Sequence, residues 1–152
     1  MINNNEYLHD IIREAQANNE TLGVSYLSLL GMAIGALRRQ ANLTQTQLSE
    51  QTGLSQSSLS RIELGESEAT ASQLDAIASA LNTKVSAIFD AADEARAYLS
   101  RENVSVPMKM DKTAKNAALG AGVAVAAGAL FGPLGLLAGS IIGAALANRK
   151  KE

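Results

Sequence analysis

The sequence predicts an all-α protein. It should comprise a central series of short helices, an N-terminal helix and a C-terminal Ala/Gly-rich helical hairpin. Three observations carry that prediction. Apolar residues recur at helical spacing along most of the chain. Two capping boxes, Thr44–Gln47 and Thr70–Gln73, each mark the start of a helix. The hydrophobic share is 47% with only 3% aromatics, so it consists mostly of Ala, Leu, Ile and Val, which suit helices.

In chain order, Tyr7, Leu8, Ile11, Ile12 and Ala15 fall on one face and predict a helix over residues 6–17. Asn18, Asn19 and Gly23 interrupt it. A second helix is predicted from about Ser25 to Gln40. Thr44 caps a helix beginning at Gln45, which Gly53 ends by letting the chain turn sharply. Ser55 caps the next, over residues 56–64, ended by Gly65. Leu48, Leu54, Leu59 and Ile62 should then share one core. Thr70 opens a further amphipathic helix through Leu74, Ile77, Ala78 and Leu81. Three or four short helices are thus expected up to about Phe89, and one more over 91–101. Residues 103–116 read as a linker, interrupted by Pro107. The expected domain organisation is a helical extension at 1–24, a core domain at 25–101, a linker at 102–116 and a hydrophobic hairpin at 117–148.

Composition excludes several chemistries. The chain has 152 residues, no cysteine and a single histidine, His9, so neither a disulfide nor a metal site is expected. Ser, Asp and Glu residues are plentiful, but no pattern sets a nucleophile beside a base, and GAG at 120–122 lacks the Lys-Ser/Thr of a phosphate loop. No enzyme and no cofactor is expected. The polar, acidic start MINNNEYLHD does not read as a signal peptide. Net charge is −2, far from the basic balance of a nonspecific nucleic-acid binder. The charge is uneven: residues 34–90 hold six acids and four bases, whereas residues 91–152 hold eight bases and five acids.

Two short helices joined by a Gly-containing turn make a helix-turn-helix. The set Gln45, Leu48, Gly53, Leu54, Ser55, Leu59, Ser60, Arg61, Ile62, Glu63 and Gly65, followed by the helix ending in Ala80-Leu81, resembles the Cro/C1-type (XRE-like) helix-turn-helix family over about residues 29–89. The resemblance implies a compact bundle of four to five helices whose second motif helix enters the major groove of double-stranded DNA. It implies that Gln45 touches a phosphate and that Gln56 and Ser57 face base edges, where glutamine can bond adenine. Ser60 and Arg61 lie one turn further on, Arg61 taking a guanine or a phosphate. Arg38 and Glu63 match positions that pair inside the fold. The chain departs from the family pattern at Ser49, Leu64, Glu66 and Glu68; the last two would repel phosphate.

The tail from Ala117 to Ala147 holds 31 residues without a charge, and Ser140 is its one polar side chain. A single straight helix of that length would measure about 46 Å, against a hydrocarbon core of about 30 Å. Gly132-Pro133 should break it into two arms. Lys109, Lys112 and Lys115 precede the tail and Arg149, Lys150 and Lys151 follow it, so both ends favour the cytoplasmic side. Gly128 and Gly132, and then Gly135, Gly139 and Gly143, recur every fourth residue, the spacing of a glycine zipper. The expected protein is therefore a sequence-specific DNA-binding regulator. The tail would attach it to the cytoplasmic face of the inner membrane or assemble it into a homodimer or higher homo-oligomer. Competing readings are a membrane-active hairpin effector with a sensing or autoregulatory helix-turn-helix, and a soluble protein-interaction scaffold.

Overall fold

A computed structural model describes residues 24–109, together with Arg13 and Ala17. The expected N-terminal helix lies outside the described residues apart from Arg13 and Ala17, which are helical; the expected hairpin lies wholly outside them. The described chain contains five helices and no strand: α1 (Tyr26–Gln40), α2 (Gln45–Thr52), α3 (Gln56–Glu63), α4 (Ala71–Ala80) and α5 (Val85–Arg101). Residues 26–97 form one compact unit; Val24, Ser25 and residues 98–109 belong to another.

Both capping boxes form. Thr44 Oγ1 accepts from Gln47 N while Gln47 Oε1 accepts from Thr44 N, and Thr70 and Gln73 repeat the exchange at the start of α4. Each satisfies two donors that a helix start would otherwise leave open. Ser55 Oγ accepts from Ser58 N at the start of α3. Gly53, at φ 71°, closes α2.

Four helix ends share one device. Asn42, Gly65, Asn82 and Asn103 sit in the left-handed region, with φ of 56°, 69°, 51° and 59°. Behind each, the next residue's N–H reaches the carbonyl five residues back: Leu43 to Arg38, Glu66 to Arg61, Thr83 to Ala78 and Val104 to Leu99. These are Schellman ends, and asparagine fills three of them because its short polar side chain tolerates this backbone.

In the compact unit α3 packs on α1 and on α2, and α2 also packs on α4. Leu29, Ile34, Leu48, Leu59, Ile77 and Ile88 are fully buried. Two glycines let α3 approach α1 backbone to backbone. A Cβ on Gly31 would meet the carbonyl oxygens of Ile62 and Glu63, and one on Gly65 would stand 2.5 Å from Ser28 Cα. No side chain fits at either point. A second tie joins the start of α1 to α5: the Tyr26 hydroxyl donates to Asp93 Oδ1 at 2.8 Å, and Arg96 lies 4.8 Å above the tyrosine ring. Burial first, and then the bond to Asp93, raise the Tyr26 phenol above its usual pKa.

The structure corrects three expectations. No boundary falls near Phe89: α5 runs unbroken from Val85 to Arg101, with Ile88, Ala92, Ala95 and Leu99 buried at spacings of three and four. The helix expected over 56–64 ends at Glu63, and Leu64 is its cap, 47% exposed. Leu54 is only half-buried, unlike Leu48, Leu59 and Ile62.

Candidate nucleic-acid interface

α2, the turn at Gly53 and α3 place the candidate residues. The first turn of α3 exposes Gln56 and Ser57, with Ser57 Oγ 3.1 Å from Ser55 Oγ. One turn further on Arg61 is exposed, whereas Ser60 is half-buried. The opposite side of the same helix holds Leu59 and Ile62, both buried. An eight-residue helix therefore has a packing side and an outward side, with Gln56, Ser57 and Arg61 on the latter. Glu66 and Glu68 are exposed just beyond it.

Arg38, Glu63 and Gln45 come together although they stand on three different helices. Arg38 Nε donates to Glu63 Oε1 at 2.7 Å and Nη2 donates to Glu63 Oε2 at 3.0 Å, a two-bonded fork with both side chains nearly buried. Arg38 Nη1 donates to the Leu43 carbonyl at 2.8 Å, so the arginine also braces the loop before α2. Gln45 Nε2 donates to Glu63 Oε2 at 2.9 Å. The Gln45 amide is thus oriented by the carboxylate, with its second N–H and its oxygen left for another partner. The sequence resemblance put Arg38 with Glu63 and Gln45 at a phosphate, but nothing in it linked Gln45 to Glu63.

Arg39 was missed at the sequence level. Its Nε is buried with no hydrogen-bond partner. Burial first, and then the positive charge of Arg38, lower its pKa, while Glu63 acts the other way. Among the described residues no group of three or more His, Cys, Asp or Glu side chains could hold a metal ion.

Known proteins resemble this chain in sequence. Residues 34–88 match the helix-turn-helix family. The chain carries a Cro/C1-type helix-turn-helix domain. That domain spans the end of α1, the two motif helices, α4 and the beginning of α5. The chain is also 35% identical over 91 residues to a protein named an immunity repressor from Bacillus phage phi105, covering 57% of this chain and 63% of that protein. The match thus spans less than two thirds of that relative's length. No solved structure matches.

Proposed function

We propose that the protein is a sequence-specific regulator of transcription that reads double-stranded DNA with α3. The observation that carries this reading is the outward side of α3. Gln56, Ser57 and Arg61 are exposed on a helix whose other side is locked by Leu59, Ile62 and the Arg38–Glu63 fork. Rigid presentation of amide, hydroxyl and guanidinium groups from one short helix suits base edges in a major groove. The similarity to a phage protein named an immunity repressor supports repression as the regulatory sense. The assigned roles are Gln56 and Ser57 toward bases, with Ser60 behind them, Arg61 toward a guanine or phosphate, and Gln45 toward the backbone.

One such module buries little DNA surface, so tight binding calls for two modules on two half-sites. We assign that assembly, or attachment to the inner membrane, to the tail at 117–147. The support is its uncharged length, its basic flanks and its four-residue glycine spacing. Among the described residues no helix is long and apolar enough to cross a membrane.

The exposed carboxylates of Glu66 and Glu68 favour one competitor, a protein-contact module. Selection from a random pool of duplex oligonucleotides by the intact chain separates the two. A regulator enriches one sequence, and Gln56→Ala shifts that preference at one base pair. A protein-contact module enriches none.

A further inference from the structure

We propose that Arg39 is a DNA-backbone contact, a cation held ready for a phosphate beside Gln45. The inference rests on the DNA-reading proposal and adds a residue to it. Duplex DNA is held largely by cations set against its phosphates. The outward side of α3 offers one, Arg61, and the turn after it exposes Glu66 and Glu68 instead. The missing charge is at the end of α1.

There two arginines share one carboxylate. Glu63 already accepts two bonds from Arg38 and one from Gln45. Arg39 comes alongside without joining them. A Cβ built on Gly35 would lie 3.2 Å from Arg39 Nη1 and 3.4 Å from Glu63 Oε2, so the guanidinium and the carboxylate flank the same glycine. Yet Arg39 Nε is buried and unbonded. Two guanidinium charges against one carboxylate leave one positive charge uncompensated. An arginine stays protonated even in a place that disfavours its charge. The Nε itself lies out of reach, but Arg39 as a whole is only half-buried, and an anion arriving at the rest of the guanidinium supplies the missing negative charge. A phosphodiester suits the site because its oxygens accept the guanidinium fork. The position is right as well: the Gln45 amide is bound to the same carboxylate, and Gln45 opens α2.

The test uses the intact chain and the duplex it selects from a random pool, alongside a scrambled duplex. Affinities of wild type, Arg39→Gln and Arg39→Lys are measured over a salt series. Arg39→Gln should weaken binding to both duplexes by similar factors and reduce the slope of log affinity against log salt by about 0.9, one phosphate contact. Arg39→Lys should keep the slope but bind several-fold more weakly, because lysine keeps the charge and loses the fork. An unchanged slope in Arg39→Gln, with or without a fall in melting temperature, overturns the assignment. Should Arg39→Gln not fold, Arg39→Lys decides alone, and wild-type affinity there overturns the proposal. If the chain selects no duplex, the DNA-reading proposal falls and this one with it. If it selects one and the slope is unmoved by Arg39→Gln, only Arg39 is reassigned.

Discussion

At Glu63, three hydrogen bonds from two other helices converge on one carboxylate. Removing that carboxylate leaves the Arg38 guanidinium nearly buried without its partner. One-sided loss of such a pair typically costs about 3–5 kcal/mol. Glu66, three residues on, is exposed, and Glu66→Ala should stay within about 0.5 kcal/mol of wild type. Denaturant midpoints of Glu63→Ala and Glu66→Ala should therefore differ widely; equal midpoints would show that the fork does not support the fold. Gly31 gives a second residue-scale expectation. A methyl group there meets two backbone carbonyls of α3, which have no room to give. Gly31→Ala should cost about 1–3 kcal/mol through overpacking, read as a lower midpoint at unchanged m-value. The resemblance put Arg38 with Glu63, but nothing in the sequence pointed to the Gln45–Glu63 bond or to the Gly31 contact. Glu63 and Gln45 are 18 positions apart, and only the folded turn brings their side chains together.

The helix starts were legible because a capping box is local. Thr44 with Gln47 and Thr70 with Gln73 state their geometry within four residues. Thr44→Ala and Thr70→Ala should each cost about 1 kcal/mol and, as the two caps share no hydrogen-bond partner, add in the double mutant. A double mutant indistinguishable from either single one would contradict independent caps. The helix ends were harder to read. Asn42, Asn82 and Asn103 take left-handed backbone, but asparagine is common in loops of any kind and carries no such label alone. The unity of α5 was open to inspection, since Ile88, Ala92, Ala95 and Leu99 keep helical spacing across Phe89 and no Gly or Pro interrupts them. On α3, Gln56→Ala should cost about 1–3 kcal/mol at the preferred duplex and relax one base pair. Unchanged preference in a competition assay would remove Gln56 from the reading side.

For the molecule as a whole, the role proposed for the tail at 117–147 is to set where the domain acts. If it forms a membrane hairpin, tags at residue 113 and after Glu152 report the same side, and the intact chain sediments with membranes. Gly139→Leu should then reduce self-association without reducing membrane partition, because a bulky residue blocks close helix approach while adding hydrophobicity. An intact chain that stays in the soluble fraction, monodisperse without detergent, would leave the tail as an oligomerisation or docking element. Whatever its role, the division of labour along α3 bears on how such a protein diversifies. Leu59, Ile62 and Glu63 anchor the helix, while Gln56, Ser57 and Arg61 face away from the core. Exchanges at exposed positions of this kind usually change stability by no more than about 0.5 kcal/mol. A lineage can therefore rewrite the outward positions and acquire a new target without first refolding the protein. Two descendants could come to ignore each other's sites while sharing an identical interior.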